Sequence, residues 1–313
     1  MAGTPPGVQR RTMYKTILVP FDGSALSARA LPVAVALARR CGARLTLALV
    51  HDPSAYIPFV PGEVAIPVYD AELISEHRLQ DRAALDAALA ELATQGISAT
   101  GVLLEGTIIE ALVEYAQSAG VDLTVMTSHG RSGFERLRLG SVATAYLTRT
   151  TTPVYLVRGS GSDAPPELPV GTLIVTLDGS PFAEAILPHA SAFAEAAGLT
   201  MALLSVAVPH AVPMAPFGAE ALLADDSAMA LEETGRHAYL ARMASECPPG
   251  TTIHAVTDMS VSRAIIDEAT RTSAGALAMA THGRGGLKRM VLGSVADEVI
   301  RHTHTPVLVY RTS

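Results

Sequence analysis

Short, wholly apolar runs alternate with amphipathic stretches along the chain. Ile17-Leu-Val is such a run, as a strand covered on both faces requires. After Asp22-Gly-Ser a helical stretch to Arg40 puts Leu31, Val35 and Ala38 on one face. Pro32 within it predicts a late start or a kink, and Pro188 repeats the feature in the second half of the chain. Gly42 closes this helix, Leu45 to Val50 reads as a second strand, and a long helix runs from Ala71 to Thr94 until Gly96. A third strand (Thr100 to Leu104), a helix (Thr107 to Gln117), a fourth strand (Leu123 to Met126), a helix opened by Gly140-Ser141 and a fifth strand (Val154 to Val157) complete the unit. Strands alternating with helices imply parallel strands joined by right-handed crossovers, a doubly wound α/β sheet. Ligands in such sheets sit beyond the carboxyl ends of the strands, where the strand order reverses. Functional residues are therefore expected just after strands.

The same pattern occurs twice. Lys15-Thr-Ile-Leu-Val-Pro-Phe-Asp-Gly-Ser24 aligns with Gly171-Thr-Leu-Ile-Val-Thr-Leu-Asp-Gly-Ser180, Thr127-Ser-His-Gly-Arg131 with Ala280-Thr-His-Gly-Arg284, and Gly140-Ser-Val-Ala143 with Gly293-Ser-Val-Ala296. The period is far longer than that of solenoid repeats, so the chain reads as a duplicated domain, 13–158 and 171–312, joined by a Gly/Ser/Pro-rich linker at 159–170. The proline-rich but apolar segments 51–70 and 209–226 follow the second strand of each half and are expected to be loops, either plain surface or a lid or interaction surface.

Composition narrows the class. The 313 residues carry a net charge of −7, which disfavours non-specific nucleic-acid binding. With 49 % hydrophobic and 17 % charged residues the chain is too apolar for disorder. No run reaches the roughly 18–20 apolar residues of a membrane span; Leu199 to Val208 suits a buried strand better. No apolar segment follows Arg10, Arg11 and Lys15 as a secretory signal requires, and Cys41 and Cys247 make no disulfide framework. A soluble cytoplasmic protein is expected.

The chemistry lies at the strand ends. Met126-Thr-Ser-His-Gly130 is followed by nine residues and then Gly140-Ser141; Met279-Ala-Thr-His-Gly283 is followed by nine residues and then Gly293-Ser294. A glycine after a buried strand lets backbone approach a ligand, and a Gly-Ser pair at a helix start offers N–H groups to a phosphate. Arg131, Arg136 and Arg138, with Arg284, Lys288 and Arg289 in the second half, lie between. A competing reading makes Ser141 and Ser294 mere N-caps, with Ser294 to Asp297 as a capping box. It leaves the upstream glycine unexplained, so phosphate binding is the better reading. Asp22 and Asp178 suit either an ordinary Asp-Gly-Ser turn or a ligand contact. His129 and His282 are read as loop-holding groups rather than catalysts, and His302-Thr-His304 as a helix end rather than a metal site. The P-loop, the dinucleotide-binding glycine motif and the Gly-x-Ser-x-Gly elbow are all missing from the sequence.

On these residues the chain resembles a tandem universal stress protein. The family's nucleotide motif is Gly, two residues, Gly, nine residues, Gly, then Ser or Thr; Gly130, Gly140 and Ser141, and Gly283, Gly293 and Ser294, match it, while Thr127 and Ala280 replace its first glycine. The resemblance implies five-stranded parallel sheets in the order 3-2-1-4-5. It also implies binding of ATP or another adenine nucleotide, Mg²⁺ carried by the phosphates, and at most slow hydrolysis with no catalytic residue assigned. The implied contacts in the first half are Pro20, Phe21, Asp22, Val50, Met126, Thr127, Gly130, Arg131, Gly133, Gly140, Ser141 and Val142. In the second half they are Thr176, Leu177, Asp178, Val206, Met279, Ala280, Gly283, Arg284, Gly286, Gly293, Ser294 and Val295. The resemblance further implies pairing of the two halves through their last strands as a pseudo-dimer, with a homodimer of chains as a further step. Should only one half bind, the second is expected to be silent, because Ala280 and Asp258-Met259 depart further from the family pattern. The alternative is an interaction module of the same fold that binds no nucleotide, its partners meeting the proline-rich loops.

Overall fold

Ile17 and Val19 pack into one hydrophobic core and Leu18 between them into another, because neighbouring side chains on a strand leave on opposite faces. Each half is thereby a sheet with helices on both faces. The computed structural model describes residues 14–53, 71–128, 139–158, 166–209, 219–282 and 292–312.

The first half runs β1 (Thr16–Pro20), α1 (Ala25–Ala28), α2 (Leu31–Cys41), β2 (Arg44–His51), α3 (Ala71–Thr94), β3 (Ala99–Glu105), α4 (Ile108–Ser118), β4 (Leu123–Thr127), α5 (Ser141–Leu147) and β5 (Val154–Val157). The second repeats it as β6 (Thr172–Thr176), α6 (Pro181–Glu184), α7 (Leu187–Ala197), β7 (Thr200–Ala207), α8 (Ala219–Ser245), β8 (Thr252–Thr257), α9 (Val261–Arg271), β9 (Ala276–His282), α10 (Ser294–His302) and β10 (Val307–Thr312). Pro32 and Pro188 explain the interrupted first helix of each half. Each sits in the first turn of a new helix, α2 or α7, where its missing N–H has no intrahelical partner to lose.

Within each half the strands stand in the order expected, and the two sets meet through the last strand of each to form one sheet, β3-β2-β1-β4-β5-β10-β9-β6-β7-β8. The join is antiparallel: Val154 faces Val309, Tyr155 faces Leu308 and Leu156 faces Val307. All other pairings are parallel. Side chains reinforce the seam. Phe193 of α7 stacks on Tyr155 with ring centroids 4.5 Å apart, and Arg40 Nη1 donates to the Ala197 carbonyl at 2.6 Å.

The expectation of a loop over 209–226 is corrected in part. Residues 219–226 open α8, since Ala219-Glu-Ala-Leu-Leu-Ala is built of strong helix formers. His51, placed at the start of the other proline-rich segment, ends β2 instead; residues 54–70 and 210–218 lie outside the described residues. Among the described residues, no helix is long and apolar enough to cross a membrane.

Candidate functional site

The strand order reverses between β1 and β4, and a cavity opens there at the carboxyl ends of the strands. It holds about 760 Å³ with its mouth included. Five separate segments converge on it. Four carry residues expected from sequence: Pro20, Phe21 and Asp22 after β1, Val50 in β2, Met126 and Thr127 at the end of β4, and Gly140, Ser141 and Val142 at the start of α5; the fifth is α4. Gly130, Arg131 and Gly133, with His129, Arg136 and Arg138, lie outside the described residues.

Backbone hydrogen bonds fix this geometry. The Phe21 N–H donates to the Ala48 carbonyl at 2.8 Å, which carries the β1–β2 ladder one residue past the strand and delivers Asp22 to the rim. Gly23 then turns the chain with φ +77°, a conformation that favours glycine. The Ser24 N–H donates to Asp22 Oδ1 at 3.0 Å, and Ser24 Oγ caps α1 by accepting the Ser27 N–H at 3.1 Å. The turn reading of Asp22 is thus physically present, in a residue that also lines the cavity. At the other wall the Gly140 N–H donates to the Ser128 carbonyl at 2.6 Å, bringing the chain back to the end of β4.

The competing reading of the serines is corrected. The caps are Gly140 and Gly293, neither of which supplies a side-chain acceptor, and Ser141 and Ser294 are the first helical residues. Asp297 does not serve a capping box around Ser294; it pairs with Arg301 at 2.8 Å. Helix α5 is pinned to the sheet by Tyr146, whose buried hydroxyl lies 3.0 Å from Thr124 Oγ1; burial pushes the Tyr146 phenol up.

Sequence reasoning missed Ser24, Ser27, Ala48, Ile108, Leu112 and Ala143 as lining residues. Ile108 and Leu112 stand four apart, one above the other, on the amphipathic α4. Their spacing was the available signal, as was that of Ser24 and Ser27, three apart after the aspartate.

The second half has counterparts at the same strand ends, with Thr176, Leu177 and Ala280 in place of Pro20, Phe21 and Thr127, and differs in detail. Leu177 repeats the one-residue extension, its N–H donating to the Leu204 carbonyl at 2.8 Å, and Thr176 Oγ1 donates to the Ala278 carbonyl at 3.5 Å. Asp178 Oδ1 accepts both the Ser180 N–H at 2.9 Å and the Ser180 hydroxyl at 2.6 Å. Val206 is half-buried near the end of β7, and Met279 is buried in β9. Strand β9 follows β10 further than β4 follows β5. Ala280 faces Tyr310 and the pairing continues to His282 opposite Thr312, whereas among the described residues the first half's pairing ends at Thr127 opposite Val157. Gly293 then precedes Ser294 and Val295 with φ +64°, where Gly140 has −60°. Gly283, Arg284 and Gly286, with Lys288 and Arg289, lie outside the described residues.

Among the described residues no three His, Cys, Asp or Glu side chains group as a metal site. His302 Nδ1 instead meets the Glu298 carbonyl at 2.9 Å in the last turn of α10.

The sequence model described as "Universal stress protein family" matches residues 13–158 and 170–311. A universal stress protein of Mycolicibacterium smegmatis is 29 % identical over 314 residues, covering 97 % of this chain and 99 % of its own length. One from Mycobacterium tuberculosis is 30 % identical over 236 residues, 71 % of this chain and 72 % of its own. The crystal structure of a universal stress protein from Archaeoglobus fulgidus has the same fold, with a TM-score of 0.63 at 19 % identity, covering 95 % of this chain and 98 % of that one.

Proposed function

Because the chain belongs to the universal stress protein family, we propose that it binds an adenine nucleotide, ATP or a close relative, in the cavity of its first half. The observation that carries this reading is the convergence of five chain segments on one cavity at the switch point of the sheet. Its lining suits the ligand. Ala48, Val50, Ile108, Leu112 and Met126 give an apolar inner wall for a base, while Asp22, Ser24, Ser27, Thr127 and Ser141 give carboxylate and hydroxyl groups for a sugar and phosphates. In this reading Asp22 takes the ribose, the Val50 backbone meets the base, and Gly140 and Ser141 face the phosphates. Mg²⁺ travels with the phosphates, and no protein residue is assigned to hold it.

The corresponding residues of the second half form a second site of the same kind, and the β5–β10 seam makes the chain a pseudo-dimer. Occupancy rather than turnover is the output, with hydrolysis at most slow, as suits a cytoplasmic stress-response or signalling protein.

Mass spectrometry of the purified protein for retained nucleotide tests the proposal, with Val50→Trp as the control. The indole would fill the base end of the cavity. An adenine nucleotide is expected on the wild type and not at the first site of V50W. A wild type that neither retains nor takes up any nucleotide would refute it.

A further inference from the structure

Among the described residues the sheet has two outer strands, β3 and β8, because β5 and β10 are spent on each other at the seam. The backbone fixes which groups they leave open. The Gly106 N–H donates to the His51 carbonyl at 3.1 Å, and the Asp258 N–H to the Ala207 carbonyl at 3.0 Å. Backbone groups alternate sides along a strand, so those of Gly101, Leu103 and Glu105 turn away from β2. Those of Ile253, Ala255 and Thr257 likewise turn away from β7. Such an edge pairs with another strand unless charge, proline or a bulge blocks it.

The two edges are guarded differently. Val102 stands opposite Ala48 and His254 opposite Leu204. Ala48 and Leu204 accept the same one-residue extension of the neighbouring strand, so Val102 and His254 correspond. Helices α4 and α9 are both 11 residues long, which matches Tyr115 with Glu268 and Ser118 with Arg271. Over β8 these positions make a charged cluster. Glu268 Oε1 lies 2.5 Å from His254 Nδ1 and accepts from Arg271 Nη2 at 2.6 Å. A strand docked on β8 would take further water from charged groups, which is costly. Over β3 the same positions hold Val102, Tyr115 and Ser118. From Ala99 to Leu104 the strand carries no charge and no proline, and Val102, Leu103, Leu104 and Tyr115 are only half-buried. Its one charge, Glu105, is paired with Arg78 at 2.7 Å.

We infer that β3 is the docking edge for a second copy of this chain, paired antiparallel across a two-fold axis at Val102. The strand is self-complementary in that register. Gly101 meets Leu103 of the second copy and exchanges two backbone hydrogen bonds with it, while Glu105 meets Ala99, so no like charges face each other. The half-buried apolar side chains beside β3 are covered in the process. Because β8 is guarded, the open edge has no complementary edge at the far end of the chain. The contact therefore closes as a dimer instead of growing into a filament.

Light scattering of the full chain over a concentration series, with amide hydrogen exchange followed in β3 and β8, tests this. The expected result is twice the chain mass at high concentration, falling to one chain on dilution. Exchange in β3 should slow about tenfold or more in the dimer, and exchange in β8 should not change. Leu103→Pro removes an outward N–H and no ladder bond, so it should give a folded monomer. Ala255→Pro, at the corresponding outward position of β8, should leave the dimer intact. A wild type that stays monomeric at its highest soluble concentration would overturn the inference. So would slowed exchange in β8 in place of β3, a folded L103P that still dimerises, or a folded A255P that does not. Should L103P fail to fold, the exchange of the wild type decides.

Discussion

Helix α5 carries one wall of the cavity, and a buried hydroxyl pair ties it to the sheet. Thr124 Oγ1 and Tyr146 Oη lie 3.0 Å apart with both residues fully buried, and Thr150 also bonds the phenol. Tyr146→Phe removes one oxygen and leaves the Thr124 hydroxyl without its partner in a dry site, a loss of about 1–3 kcal/mol. Thr124→Val strands the phenol in the same way, less whatever Thr150 recovers. The double variant removes both polar groups and leaves apolar surfaces of nearly unchanged shape. The protein contains that solution already, because the second half has Leu277 and Val299 at the equivalent positions, both fully buried. The double variant should therefore lose less than the two single losses together, by roughly 1 kcal/mol or more. Urea titrations of the wild type, both single variants and the double variant, followed by circular dichroism, give the coupling directly. Single losses that simply add would refute the assignment of this pair as a buried, mutually satisfied anchor.

Three further outcomes follow from other contacts. Glu268 accepts from Arg271 Nε at 2.8 Å and Nη2 at 2.6 Å and faces His254 Nδ1 at 2.5 Å; Arg271 is the main cause that holds its carboxyl below the ordinary range. This stability is present above the usual glutamate pKa of about 4.3 and is lost as pH falls through the lower, folded value. Melting temperatures against pH should show that acid limb in the wild type and a flatter one in Glu268→Gln, and identical limbs would contradict it. A Cβ on Gly275 would stand 2.2 Å from the Val170 carbonyl oxygen, so Gly275→Ala should cost roughly 1–3 kcal/mol in thermal unfolding; an unchanged melting temperature would refute the clash. Phe193→Ala empties a fully buried site against Tyr155 at the seam and should cost about 3–5 kcal/mol, measured by urea denaturation; a loss under 1 kcal/mol would show that the seam tolerates the void.

Much of the architecture was legible because both faces of the sheet are covered. Runs such as Ile17-Leu-Val and Leu173-Ile-Val must then be apolar throughout, and glycines and prolines mark the helix ends between them. The duplication made the reading doubly constrained, and the half of the site that lies after β1 and β4 followed from the fold rule for ligand position. The junction of both sheets into one depends on non-local pairing, which periodicity does not encode; only the family resemblance and the place of the last strands point to it. The difference between Gly140 and Gly293 was illegible. Both begin the same Gly-Ser-Val-Ala stretch, yet their φ values have opposite signs.

A crystal structure of the chain grown with ATP and Mg²⁺ tests the central claim most directly. The account predicts density for the nucleotide in the first half, with its base against Ala48 and Val50, its ribose at Asp22 and its phosphates at Gly140 and Ser141. A cavity left empty at saturating ATP, or a nucleotide bound away from these residues, would contradict it.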